Sequence, residues 1–342
     1  MTTKTTTGGN NRFWIGIGVS LLFLFFALKD IDWRATVVAM KGASPVLLLA
    51  GTVTLVAAWL VSAVRWQYLL APAPQVTVLD TFRFICIGYL ANTVLPLRLG
   101  DLARATLIGR KKGLGISRSL GSMALERVLD VLTLVLLVFI LTLVVEVPRA
   151  VKVSSVILAG GGFVALLMLT LLAFQHHRIS ELHRMVPGFI PQNLARKVLL
   201  LFERFAAGVH ILRSPGRFVV AFALSAAVWA MVGLATVVWV YAFDLVTPWY
   251  AGLFVLVLVN LGSAIPSSPG YVGVYEYLCV LALSVWVDDR NHALAYAVAT
   301  HGLNLLANVV LGGYFLMREG ISLKSLRSLG HDRPQAGDKG HV

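Results

Sequence analysis

The 342-residue chain is 58% hydrophobic and only 13% charged, and its formal net charge is +13. Soluble domains carry about a quarter charged residues, so this composition excludes a soluble fold and describes a polytopic membrane protein. No basic–aromatic face of the kind that binds nucleic acid accompanies the positive charge; it fits instead the gathering of Lys and Arg on the cytoplasmic side of a membrane.

Uncharged apolar stretches run over Phe13–Leu28, Pro45–Val64, Val128–Val145, Val153–Phe174, Phe218–Phe243, Ala251–Ile265 and Ala293–Met317. Several reach the roughly 20 residues that span a bilayer core. The expected fold is all-α: one transmembrane domain over residues 13–317 between a cytoplasmic tail at 1–12 and a polar cytoplasmic tail at 318–342. The first stretch comes after Lys4 and Arg12, as a signal peptide would. It runs on into "KDIDWRA" rather than a small-x-small cleavage site, so it reads as an uncleaved anchor. With the N-terminus and the basic segments 96–118 and 176–217 inside, all but six of the 29 Lys and Arg lie on the cytoplasmic face of the cell membrane. Cys86 and Cys279 fall in apolar segments and imply no disulfide framework.

Threading the chain in this orientation requires two interruptions. Pro45–Val64 leaves Arg65 inside, and the basic segment after Arg98 is inside too. The apolar run between them therefore enters and returns, a re-entrant hairpin at about residues 79–112 broken at Pro96–Gly100. Ala251–Ile265 and Tyr271–Val287 are separated by "PSSPG", while Asp244, Asp288 and Asp289 flank them outside. They form a second hairpin, at about 249–287, from the opposite face. Pro96 and Gly100 are four apart, as are Pro266 and Gly270, and each hairpin lies between two long apolar segments. This is the pattern of an inverted repeat whose broken helices meet near the midplane, with about six full spans.

Non-helical backbone at membrane depth must face protein or a wet cavity. The half-helix restarting after Gly100 points its partly positive N-terminus there, an end that favours anions such as phosphate. Arg98 and Arg104 add forked donors suited to phosphate oxygens; the alternative is that they serve topology alone, as Arg110, Lys111 and Lys112 do. Ser267 and Ser268 offer neutral donors at the second break. Asn92 either contacts ligand or hydrogen-bonds a neighbouring helix, and Gly270 and Gly273 either shape the break or permit close packing.

Further along, Glu126, Arg127 and Asp130 open an otherwise apolar span, with Glu126 and Asp130 on one face. Charges at such a place are functional by default, and either acid could orient an arginine of the hairpin. Glu276 in "GYVGVYEYL" is a candidate counter-ion or proton carrier. His301, Asn304 and Asn308 share one face of the last span, for interhelical bonding or for substrate. Residues 178–213 include an amphipathic segment expected on the cytoplasmic surface. His176 and His177 are too little for a metal site; no cofactor and no P-loop are indicated.

At Arg65-Trp66, "NTVLPLRLGDLARATLI", Ser119, Glu126, Arg127, Asp130 and "PSSPGYVGVYE" the chain resembles the transmembrane, flippase-like region of lysylphosphatidylglycerol synthases and their stand-alone relatives, over roughly residues 10–320. Where that family usually has a glycine pair, this chain has Gly270-Tyr271; the acidic residue after the first glycine is Asp101. The chain shows no soluble synthase domain. The resemblance therefore implies translocation of a lipid with an anionic headgroup, or support of it, rather than synthesis. Three readings are open: a non-enzymatic flippase for a phosphate-bearing, aminoacylated or glycosylated lipid; an accessory subunit beside a separately encoded lipid-synthesis enzyme; and, with few and scattered acids, a membrane transferase. Homo-oligomerisation is left open.

Overall fold

The computed structural model describes residues 8–95, 99–143, 149–174, 192–262 and 267–322. Pro96, Arg98 and Pro266, three residues of the expected breaks, lie outside them, as do His176 and His177. Among the described residues the chain is all-helical, with twelve α-helices: α1 (Gly8–Leu28), α2 (Trp33–Gly42), α3 (Pro45–Leu70), α4 (Val78–Val94), α5 (Leu99–Lys111), α6 (Ile116–Thr142), α7 (Arg149–Phe174), α8 (Gln192–Gly208), α9 (Pro215–Ala242), α10 (Ala251–Gly262), α11 (Val274–Leu283) and α12 (Arg290–Arg318). Single turns of 3₁₀-helix stand at His210–Arg213 and Pro269–Tyr271. Among the described residues, α3, α9 and α12 are long and apolar enough to cross a membrane.

Local chemistry sets the helix starts. Ser44 caps α3 with Pro45 in its first turn, Asp289 caps α12, and Thr77 and Asp80 form a reciprocal capping box on α4. Each side chain satisfies backbone N–H groups that no helical carbonyl can reach.

Between membrane helices, small residues let backbones approach. Gly51 of α3 lies against the indole of Trp239 in α9, whose Nε1 donates to the Leu48 carbonyl at 3.2 Å. Gly312 of α12 meets the Cys86 carbonyl of α4, and Gly252 of α10 meets Val237 of α9. The neighbours fall into two similar sets. In one, α3, α4, α5 and α6 pack successively; in the other, α9, α10, α11 and α12 do, and α3 lies along α9. The core runs through both sets, with Trp66, Phe84, Ile85, Ile108, Leu294 and Tyr296 fully buried. Cys86 and Cys279 are buried within it as free thiols.

Both chain breaks are tight. At the first, a methyl group on Gly100 would collide with the Gly88 carbonyl and with Asn92, so α4 and α5 touch through two glycines. At the second, Gly270 and Gly273 have φ values of 70° and 90°. Helix α1 braces this second break: the Ser268 N–H donates to Ser20 Oγ at 2.8 Å, and Ser267 packs on Gly16. The anchor segment is thus part of the bundle.

The amphipathic segment appears as α8, packed on α6 through Gly121 and Gly208, with Leu200, Leu201 and Phe202 exposed. Lys111 and Lys112, expected as topology charges, also form intramolecular ion pairs. Lys111 Nζ lies 2.5 Å from Glu319 at the end of α12, and Lys112 Nζ lies 2.7 Å from Asp80 at the start of α4. Their charges hold the α5 end against two other helices.

Gly100→Ala is expected to lower thermal stability in detergent by roughly 1–3 kcal/mol, as overpacking does. Gly18→Ala, where a methyl would meet nothing within 4 Å, is expected to leave it unchanged. Equal behaviour of the two variants would contradict the glycine contact.

Candidate functional site

Four charged side chains form a net inside the bundle. Arg65 of α3, 2% exposed, donates from Nη1 to Asp130 Oδ1 at 2.5 Å and to Ser225 Oγ at 3.0 Å, and from Nη2 to Glu126 Oε1 at 3.0 Å. Arg104 of α5, 1% exposed, donates from Nη2 to the same Glu126 oxygen at 3.0 Å and lies over the Trp66 ring at 4.8 Å. Its Nε is 3.5 Å from Asp101. Trp66 is anchored in turn, donating to Ser122 Oγ at 3.2 Å. The sequence suggested that Glu126 or Asp130 would orient an arginine of the hairpin. Glu126 does so for Arg104, and both acids also hold Arg65. Four helices, α3, α5, α6 and α9, are fixed by one set of charges.

Arg127 faces elsewhere. One residue along an α-helix turns a side chain by about 100°, so Arg127 turns from the buried net toward a cavity, its Nη2 still 4.0 Å from Glu126 Oε1. Its side chain is 45% exposed; Nη2 is 3.2 Å from Asp101 and Nη1 is 3.5 Å from Asp130. Asp130 also accepts from Trp229 Nε1 at 3.0 Å.

This cavity has a volume of about 480 Å³, within the roughly 300–1,000 Å³ usual for small-molecule sites. It lies where the two breaks meet: Gly270 faces the carbonyl of Thr93, near the end of α4, across 3.5 Å measured from a methyl position on the glycine. Several helices line it, among them α6 through Arg127, Asp130, Val131 and Leu134, and α12 through His301, Asn304, Leu305 and Asn308. Trp59 and Tyr89 form one aromatic wall, with ring centres 5.0 Å apart, and Trp229 and Trp239 of α9 also line the cavity. This aromatic lining went unnoticed in the sequence, because tryptophans in apolar spans read as core or lipid-facing residues.

Other expected site residues have local tasks. Asn92 Oδ1 accepts the Gly100 N–H at 2.8 Å, taking up one donor at the start of α5, and Asn92 also lines the cavity. Glu276 Oε2 accepts the Gly273 N–H at 2.6 Å, so it caps α11 in the manner of a capping box. Its other oxygen is 2.6 Å from His301 Nδ1, while His301 Nε2 is 2.8 Å from the Gly270 carbonyl. Tyr275 stacks on the His301 ring at 4.3 Å. Glu276 and His301 thus tie α11, α12 and the second break together. Ser268 Oγ turns to the Val272 carbonyl at 3.3 Å, and neither Ser267 nor Ser268 lines the cavity. Tyr271, which stands where the resemblance expects a second glycine, has φ 59° and forms part of the cavity wall. A non-glycine residue there stores about 1–3 kcal/mol of strain. Among the described residues no three His, Cys, Asp or Glu side chains come close enough to hold a metal ion.

Residues 13–312 match the family described as "Lysylphosphatidylglycerol synthase TM region". The chain belongs to this family. It is 25% identical over 228 residues to UPF0104 membrane protein MJ1078 of Methanocaldococcus jannaschii, covering 65% of this chain and 90% of that protein. It is 23% identical over 348 aligned positions to Glycosyltransferase AglD of Haloferax volcanii, covering 91% of this chain but only 55% of AglD. No solved structure matches it. For this family member the matched span contains both breaks, the charged net and the whole cavity wall.

Removing one partner of a buried ion pair typically costs about 3–5 kcal/mol, because the other charge is left alone. Arg65→Met is expected to reduce thermal stability and membrane abundance by that order. Adding Asp130→Asn should recover part of the loss, so that the double variant is more stable than the sum of the single changes. Strict additivity of the two changes would show that Arg65 and Asp130 do not act as a pair.

Proposed function

We propose that the chain translocates a phosphate-bearing lipid across the cell membrane, passing its headgroup through the cavity between the two breaks while the acyl chains remain in the bilayer. One observation carries this reading: a cavity of about 480 Å³ between helix breaks, with a half-exposed arginine, paired to Asp101 and Asp130, in a wall that is otherwise mostly apolar and aromatic. Arg127 is the phosphate ligand, and Asp101 and Asp130 hold its fork in place. Arg104, buried behind the wall, supports the site through Glu126 rather than meeting lipid. The chain acts without a catalytic group of its own.

The architecture belonging to this reading is an inverted repeat. Helices α3 to α6 form one half and α9 to α12 the other, with α4–α5 and α10–α11 as re-entrant hairpins from opposite faces. The parallel packing order of the two sets supports it. In this reading both termini are cytoplasmic, and the cluster of Asp80, Arg83, Lys111, Lys112 and Glu319 supports putting that end of the bundle at the cytoplasmic face of the inner membrane. The match to a protein named a glycosyltransferase favours a second reading, in which the chain assists a separately encoded enzyme of lipid or glycoconjugate synthesis.

In liposomes carrying fluorescent phospholipids, Arg127→Gln is expected to slow flipping by about 10-fold or more, the factor for one charge-assisted hydrogen bond of roughly 1.5–3 kcal/mol. Arg110→Gln, at an exposed position outside the cavity, should flip lipid normally. If purified wild-type protein flips no phospholipid, the accessory reading takes precedence.

Topology is tested separately. Cys86 and Cys279 are fully buried, so introduced cysteines can be read against them. An impermeant thiol reagent is expected to label Arg110→Cys only from the cytoplasm and Asp288→Cys only from outside. Labelling of both from one side would refute the inverted arrangement.

A further inference from the structure

One imidazole ties the second break to α12. His301 Nε2 lies 2.8 Å from the Gly270 carbonyl, and its Nδ1 lies 2.6 Å from Glu276 Oε1. Glu276 Oε2 is committed as well, accepting the Gly273 N–H at 2.6 Å. These partners fix the ring orientation, since a flipped ring would set two C–H groups against two acceptors. Tyr275 stacks on the ring with centres 4.3 Å apart.

The protons in this chain can be counted. A carbonyl oxygen has none to give, so the contact with Gly270 requires Nε2–H. The contact between Nδ1 and Oε1 requires one more, on either atom. The pair therefore holds two protons, one more than a carboxylate beside a neutral imidazole. Without it, one of the two contacts turns repulsive: a bare Nδ1 faces the carboxylate, or a bare Nε2 faces the Gly270 carbonyl. The charge-assisted bond to Glu276 is the stronger one to keep, so the proton lost is that on Nε2, and the bond lost is the one to Gly270. A buried carboxylate then stands beside a neutral ring, an uncompensated charge that favours wetter surroundings. Gly270 and His301 both belong to the cavity wall, which gives the proton a route to water.

The surroundings offer no replacement charge. The titratable groups on the break and on the helices packed against the pair are Tyr271, Tyr275 and Cys279, Tyr296 of α12 and Tyr89 of α4, all of types that are neutral near neutral pH. Across the cavity, Arg127 is paired with Asp101 and Asp130. Asp80 and Arg83 of α4 are engaged with Lys112 and Glu319, and His292 with Asp289 at the start of α12. Neither α10 nor the Phe13–Leu28 stretch of α1 contains a titratable side chain.

We infer that Glu276 and His301 form a proton-binding latch: with the proton bound, Gly270 is held against α12, and with the proton released this part of the cavity wall is freed. The inference stands apart from the translocation reading, to which it adds a way for a proton gradient to act on the cavity. The latched arrangement binds the proton, so its stability is present at low pH and lost as pH rises.

Hydrogen–deuterium exchange of the full-length protein in detergent micelles, corrected for the chemical effect of pH on exchange, tests this without any lipid substrate. Protection of the backbone amides at 268–273 is expected to fall, once the latch titrates, by about 10-fold per pH unit, the slope for one linked proton. The Gly100 amide, held by the non-titrating Asn92, should show no such fall. In Glu276→Gln the amide group donates to Nδ1 while its oxygen keeps the Gly273 N–H, so the break should stay protected at every pH. An ion pair with a merely structural role would instead lose protection in that variant. His301→Ala should leave the break unprotected throughout. Protection at the second break that does not change with pH, or that falls equally at both breaks, overturns the proposal, as does a Glu276→Gln variant that keeps the wild-type slope. The wild-type comparison of the two breaks decides the question even if a variant fails to fold.

Discussion

A charge inside a bilayer must have a partner, and the structure is organised around meeting that requirement at one place. Arg65, Arg104, Glu126 and Asp130 form a net in which each cation touches an anion and Glu126 is shared by both arginines. The side chains come from α3, α5 and α6, and Ser225 and Trp229 bring in α9. Buried ion pairs contribute little net stability compared with apolar packing. They are, however, intolerant of displacement, and here that intolerance fixes the restarted helix α5 relative to three long neighbours. The strict position of Arg127 at the cavity edge is a consequence of this fixed frame.

The second constraint is the accounting for backbone N–H groups at the breaks. A helix interrupted inside a membrane exposes donors that lipid cannot satisfy. At the first break Asn92 reaches across eight residues to the Gly100 N–H. At the second, Glu276 reaches back three residues to Gly273, and Ser20 of α1 takes the Ser268 N–H. His301 then bridges Glu276 and the Gly270 carbonyl. Much of the polar chemistry that a sequence reading assigns to ligand is therefore used to keep the breaks intact. The groups left over, which line the cavity, are the more informative ones.

How much of this was legible in the sequence depends on the range of each interaction. The all-helical fold, the interruption near Gly100 and Gly270, and the coupling of Glu126 with a hairpin arginine were legible from hydropathy, glycine placement and the cost of unpaired charge. The division of labour between Arg104 and Arg127 was not. Arg104 stands nearest the break, but its side chain fills the space that Gly88 leaves open on α4, whereas Arg127 is turned to the cavity by the phase of α6. The role of Glu276 was readable in principle, since Gly273 and Glu276 have capping-box spacing. The pairing of Lys111 with Glu319 joins residues 208 apart, and no local pattern reveals it. The aromatic lining joins α3 to α4 and brings in two residues of α9, and it appears only once those helices are packed.

The central claim is that a phospholipid headgroup occupies the cavity. Photo-crosslinking tests it most directly, using a phospholipid with a photoreactive group on its headgroup, with mapping of the labelled peptides. The account predicts labelling of the cavity wall at Trp59, Trp229 or Asn304, with loss of that label in Arg127→Gln. Labelling confined to outward-facing residues such as Val53 and Phe139, each 59% exposed, would contradict it.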